Sequence, residues 1–346
     1  MCTRLSGMHN PLLRSSSTKP QSGALTPTPF APEWGLERLG VRTHLSTRTG
    51  GVSEGAYASL NLGLHVGDVP ERVAHNRQVY AQHLGASPVF LNQVHGCRVL
   101  ELLAQSPAPS PNSDRDPDPD PDPHSTPATN LSTQNSTSIP TAESADSAWT
   151  QARGVACTMM VADCMPVLLA DSHGRVVAAV HVGWRGLVGL RAQAGASALE
   201  TNGGVIAQTL TLLRQRLSMG LKSSPAPEPD PVIYAWLGPC IGPTAFEVGE
   251  EVRDWFVERR QDNARAFKPS AVHAGKWMAH LSALVQWELE HNGVGQLFGN
   301  LASTQSATTT PDPWCTVTNA EDFFSYRRQG VCGRFAASIW LDDPQS

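Results

Sequence analysis

The sequence predicts an α+β fold in which helices are layered on β-sheets. Three observations carry that prediction. Short runs rich in Val, Ala, Leu and Met recur at strand length. Segments with apolar residues at helical spacing lie among them, without the strict strand–helix rhythm of a doubly wound sheet. Hydrophobic residues make up 40% of the 346 residues and charged residues 16%, a composition that can fill a core and a length for one large domain or two ordinary ones.

The elements follow in order. Residues 1–32, rich in Ser, Thr and Pro, read as a disordered leader to a domain spanning 33–346, and they lack the apolar core of a secretory signal. Val41 to Thr47 reads as a strand. Asp68-Val-Pro-Glu71 offers a capping acid, an early proline and a further acid, and Val73, Tyr80 and Leu84 follow near helical spacing. Strands are expected at 88–94 and 97–103. From about 104 to 148 the chain runs through DRDPDPDPDPHSTP and a Ser/Thr/Asn tract. Its Asp-Pro pairs repel one another and support neither helix nor ladder, so this is a disordered Asp/Pro-rich insertion within the domain. Further strands are expected at 155–161, 166–170 and 175–182. Helices are expected at 186–200, 204–218, 245–259 and 276–291, with Val248, Val252 and Trp255 on one face of the third. The last strands are 232–237, 314–318 and 334–341. Tracts near 220–231 and 302–313 read as long surface loops.

Charge and cysteine content exclude several classes. The formal charge of −5 provides no field for gripping DNA, RNA or an anionic membrane, which leaves a small ligand as the expected partner. Seven irregularly spaced cysteines, with no C-x-x-C, fit reduced thiols in a cytoplasm better than a disulfide framework. No apolar run approaches the roughly 20 residues of a membrane span.

Three segments each end an apolar run with a residue able to bind metal: Asn92-Gln-Val-His95-Gly96, Ala162-Asp-Cys164-Met-Pro166 and Val180-His181-Val-Gly-Trp-Arg-Gly186. Gly96, Pro166 and Gly183 turn or constrain the backbone just beyond, as at strand ends that line a site. One thiolate and two imidazoles are donors that Zn²⁺ prefers, and three protein ligands leave a fourth position open. Asp163 is the candidate to orient an imidazole through its second nitrogen. The same residues also allow Cys164 as nucleophile with His181 as base, and the spacing alone leaves both readings open. Arg48 precedes two glycines, Arg185 lies between glycines, and Arg327 follows two phenylalanines. An arginine in a glycine-framed turn can present its planar fork to phosphate. His65 reads as a turn or wall residue, and Cys240 and Cys315 as packed core. His9, His124 and His291 read as solvated.

The strings TRTGGVSEGAYASLNLGLHVGD, NQVHG, VADCMPVLLAD, HVGWRGL, AWLGPCIGPTAFEVGEEV, GKW and FFSYRRQGVCGR resemble the YfiH-like laccase-domain family. That resemblance runs from about Ser46 to Leu341. It implies an α/β/β/α sandwich with mixed sheets and a catalytic zinc on His95, Cys164 and His181, copper being the lesser alternative. It also implies phosphorolysis of adenosine, inosine, guanosine and S-methyl-5'-thioadenosine, with an associated adenosine deaminase activity. Purine nucleosides and inorganic phosphate are the expected partners of a cytoplasmic monomer. Arg48 is expected to act on phosphate in catalysis, and Arg185 and Arg327 to help bind it. Two rival activities share these residues: a cysteine amidase editing peptidoglycan precursors, and a copper-dependent polyphenol oxidase, which needs many more histidine ligands. The sequence departs from the family after GKW, where His280 stands in place of the usual acid.

Overall fold

A computed structural model describes residues 30–104, 143–189, 203–221, 231–302 and 312–343. The leader up to 29, residues 105–142 of the insertion, most of the helix expected at 186–200, and the centres of both surface loops lie outside the described residues. In chain order the elements are β1 (Val41–Leu45), α1 (Pro70–Leu84), β2 (Ser87–Phe90), β3 (Val99–Glu101), β4 (Ser147–Thr150), β5 (Val155–Val161), β6 (Met165–Asp171) and β7 (Val177–Val182). They continue with α2 (Trp184–Val188), α3 (Val205–Leu221), β8 (Ile233–Leu237), β9 (Glu247–Gly249), α4 (Glu250–Arg259), β10 (Phe267–Pro269) and β11 (Lys276–Ala279). The last are α5 (Leu281–His291), β12 (Gln296–Gly299), α6 (Tyr326–Gln329) and β13 (Phe335–Leu341).

Two mixed sheets form the centre. One has four strands in the order β1-β13-β5-β2, the other six in the order β12-β8-β6-β7-β4-β3, and β10-β11-β9 form a small third sheet. Strand pleating explains the layers. In β5, Cys157, Met159 and Val161 face the six-stranded sheet, while Ala156 and Met160 face α1. In β6, Leu168 and Ala170 face the four-stranded sheet, while Met165, Val167 and Leu169 join the layer of α3 and α5. Both faces are covered, so β5, β6, β7 and β13 are buried throughout and read as unbroken apolar runs. The layers run α1, four-stranded sheet, six-stranded sheet, α3 and α5, an α+β sandwich in one domain. No helix among the described residues is long and apolar enough to cross a membrane.

Several local expectations are corrected. Residues 143–148 were assigned to the insertion, yet Ser147 opens β4, which pairs with β7 inside the six-stranded sheet. The helix expected at 276–291 is a strand followed by a helix. Lys276, Trp277 and Met278 pair with β9, and His280 caps α5 by accepting the Ala283 N–H at 3.3 Å. The helix expected at 245–259 likewise begins only at Glu250. Its buried face is Val252 and Phe256, whereas Trp255 is 38% exposed and stacks on Trp184. No strand covers 314–318; there Cys315 makes a single bridge to Cys240. Asp68 does not cap α1. It accepts from Ser53, Asn61 and the Val69 N–H, and Val69 occupies the cap position.

Candidate metal centre

Strand register brings the three donor segments together. Antiparallel β6 and β7 place Met165 opposite Val182 and Pro166 opposite His181, so Cys164 and His181 meet at one end of the pair. Strand β2 runs parallel to β5, so the chain leaving β2 arrives where β5 turns into β6. Gln93 locks that exit by exchanging two hydrogen bonds with the Met160 backbone, at 2.8 and 2.9 Å. His95 follows two residues later. His95 and Asp163 both have left-handed backbones, with φ of 61° and 93°. Such conformations are uncommon outside glycine and need surrounding bonds to hold them. The Asp163 carboxylate accepts the Thr316 hydroxyl at 2.7 Å and the Arg327 N–H at 2.6 Å, and its carbonyl accepts the Ile241 N–H.

One donor atom each from His95, Cys164 and His181 lies within 4.8 Å of the other two. The imidazoles stand edge to face at 4.8 Å between centroids. Gly183 makes the approach possible: a Cβ there would lie 2.9 Å from His95 Cδ2 and 3.0 Å from Cys164 Sγ. The residue that orients His181 is Asp146, and the expectation for Asp163 is corrected. Asp146 Oδ1 accepts His181 Nδ1–H at 2.8 Å, which turns Nε2 toward the other two donors. The same carboxylate takes the backbone N–H groups of Val94, His95 and Gly96, so one buried acid organises both histidine segments. Asp146 escaped the sequence reading because it sits where polar insertion passes into strand, and no local pattern marks it.

The electrostatics suit a bound cation. Burial pushes the Cys164 thiol up, but the His181 charge and hydrogen bonds from both imidazoles outweigh it and lower the thiol to about 6. Burial also opposes charge on His181, yet the thiolate and Asp146 hold it above its usual value. Burial raises Asp146, and the His181 contact and the amides of Gly96 and His95 more than offset it. A thiolate and two imidazoles, one of them backed by a carboxylate, form a donor set for a transition-metal ion with one position left open.

The donors open into a cavity of about 380 Å³. Ile241, Phe246, Leu281, Trp184 and Tyr326 provide apolar and aromatic wall. Arg185, Arg327 and Arg334 provide positive charge, and Asp163 is the only acid among the described residues of the lining. Arg185 lies over the Trp184 ring at 4.4 Å. Arg327 reaches the cavity, but its guanidinium donates to the carbonyls of Ala245 and Glu247. Arg48 does not line the cavity; it donates to the carbonyls of Ala58 and Ala320 and lies over Phe324 at 4.7 Å. Arg334 and His65 line it instead.

Fold and site together define a class of single-domain α+β proteins with a two-histidine, one-cysteine centre at the floor of a cavity. Within that class the chain belongs to the family described as multi-copper polyphenol oxidoreductase laccase, whose family model matches residues 42–342. It is 35% identical over 314 residues to the purine nucleoside phosphorylase PA4543 of Pseudomonas aeruginosa, covering 91% of this chain and 98% of that one. It is also 35% identical to the purine nucleoside phosphorylase YfiH of Escherichia coli, covering 90% and 98%. The crystal structure of Neisseria meningitidis protein NMB0706 superposes with a TM-score of 0.62 at 34% identity, covering 88% of this chain and 95% of that one.

Proposed function

We propose that this protein is a zinc-dependent purine nucleoside phosphorylase acting on adenosine, inosine, guanosine and S-methyl-5'-thioadenosine, with a secondary adenosine deaminase activity. The observation that carries the proposal is the convergence of His95, Cys164 and His181 beneath a cavity lined by both aromatic and cationic side chains. Relatives sharing 35% identity over nearly their whole length are named purine nucleoside phosphorylases. His95, Cys164 and His181 would hold the zinc, and bound zinc would supply a Lewis acid at the cavity floor. The absence of a second His/Cys cluster among the described residues favours a single metal ion over the set of coppers an oxidase needs.

In phosphorolysis, a phosphate oxygen forms a bond to the anomeric carbon as the N-glycosidic bond breaks. The purine leaves with the bonding electrons and takes up a proton. Phe246 and Tyr326 offer aromatic faces for the flat base, Trp184 being covered by Trp255 and Arg185. The arginines offset the phosphate charge and favour its approach to the sugar. Asp146 holds the Nδ1 proton of His181 and so keeps Nε2 facing the ion. Arg48, with its fork held by two carbonyls, acts as a brace between segments. In deamination the same floor would activate water to displace ammonia from adenosine. We further propose that the protein works in the cytoplasm as a monomer.

The experiment is to incubate metal-analysed protein with adenosine, with and without phosphate, and to identify the products. Phosphate-dependent adenine and ribose 1-phosphate support phosphorolysis; inosine and ammonia in either condition support deamination. The lowered pKa of Cys164 beside His181 favours one alternative, a cysteine amidase. Recovery of an acyl group on Cys164, with no nucleoside turnover, would replace the proposal with that activity.

A further inference from the structure

Two segments far apart in the chain meet in one part of the cavity lining. His65 sits on a single 3-10 turn, Leu64–Val66, and Arg334 immediately precedes β13. The two are fixed to each other by backbone bonds. Leu62 N–H donates to the Arg334 carbonyl at 3.0 Å, and Asn61 Oδ1 accepts the N–H of both Gly63 and Arg334 at 2.9 Å. Asn61 is fully buried, and its amide is held in turn by Asp68. Gly63 lets the Arg334 stem pass: a Cβ there would lie 2.8 Å from Arg334 Cγ. Behind this wall Arg77 donates to the Leu62 carbonyl, adding charge to the same segment.

Of the other arginines in the lining, Arg327 is engaged by two carbonyls, and Arg185 is an exposed side chain lying over the Trp184 face. In Arg334, Nη1 donates to the carbonyls of Cys332 and Gly333, while Nε and Nη2 donate to nothing among the described residues. No carboxylate pairs with Arg334, Arg77 or His65 among the described residues, and Asp163 is satisfied by Thr316 and Arg327. Burial first, and then the charges of Arg334 and Arg77, lower the pKa of His65, so the positive charge of this wall rests on the arginines and His65 adds a ring N–H. A prearranged cationic wall without a counter-ion is suited to a small dense oxyanion.

We propose that Arg334 and His65 form the binding subsite for inorganic phosphate, leaving Phe246 and Tyr326 of the same cavity to the purine. The assignment deepens the phosphorylase reading and rests on it for the reaction, but phosphate binding itself can be measured alone. It also moves the phosphate from Arg48, Arg185 and Arg327, where sequence reasoning had put it. Binding of inorganic phosphate, without nucleoside, is to be measured by calorimetry on the metal-loaded protein and on R334Q, R334K and H65Q. Loss of a charge-assisted contact predicts about tenfold or greater weakening in R334Q and a smaller loss in R334K and H65Q. In turnover, R334Q should raise the KM for phosphate by a similar factor and that for nucleoside by less than about threefold. Melting curves and metal content confirm that each variant is folded and loaded. If R334Q and H65Q bind phosphate as tightly as the parent protein, the subsite is wrong even where phosphorolysis stands. If the parent binds phosphate through Arg334 but turns over no nucleoside, the subsite stands and the phosphorylase reading falls.

Discussion

Replacing Asp146 by Asn isolates one carboxylate's contribution to the metal centre. Asp146 Oδ1 accepts from His181 Nδ1 at 2.8 Å and from His95 N at 2.9 Å; Oδ2 accepts from Gly96 N at 2.6 Å and Val94 N at 3.3 Å. All four partners are donors. An asparagine amide therefore fails in either orientation, since its NH₂ faces Gly96 and Val94 or, flipped, His181 and His95. Two hydrogen bonds to an ionised acceptor are lost and two donors are pressed together. At about 1.5–3 kcal/mol for each charged hydrogen bond, and allowing for relaxation, D146N should cost about 3–4 kcal/mol of stability. Loss of the carboxylate behind a liganding histidine should weaken metal binding by about 10- to 100-fold. Competition with a chromophoric chelator measures the affinity, and denaturant melts of the metal-free protein measure the stability. Wild-type affinity together with a wild-type melt in D146N would refute the claim that this acid organises both histidines.

Other consequences are simpler to read. Gly183→Ala should empty the centre while sparing the fold, because its backbone lies in the extended region open to any residue while the new Cβ meets His95 and Cys164; metal content against the melt of the metal-free protein separates the two effects. Cys164→Ala should abolish metal binding and phosphorolysis together, and full turnover by a metal-free C164A protein would remove the zinc mechanism. His44 is held down to about 4 by burial and then by the neighbouring His83. Its folded value lies below the unfolded one, so the unfolded chain takes up the proton first. Stability from neutral His44 is complete above about pH 6.5 and is lost as pH falls toward 4. Between pH 7 and 5 the parent should lose about 1–2 kcal/mol that H44L does not lose, as read from urea melts at each pH.

Much of the fold was legible because the central strands are covered on both faces. Unbroken apolar runs such as those of β5, β6 and β13 have no other stable destination in water, and their ends match expectation within a residue. The helices α1 and α3 were equally plain. The failures cluster where a partner strand decided the outcome. Residues 276–279 carry a pattern compatible with a helix, yet the free edge of β9 draws them into a ladder and His280 starts the helix anew. Residues 314–318 read as a strand, but only Cys315 finds a bridging partner.

Residue types at the strand ends determined the chemistry on offer: two imidazoles and a thiol, each followed by a residue that lets the backbone turn. That much is local, since donor identity and turn chemistry belong to single residues. What tertiary structure alone decided was company. Register set Cys164 beside His181, an acid at the end of a polar tract became the support of both histidines, and Arg334 rather than Arg48 came to line the cavity. Contacts between residues from 35 to 273 positions apart depend on which strands pair and which carbonyls claim an arginine first. No stretch of local sequence encodes those outcomes.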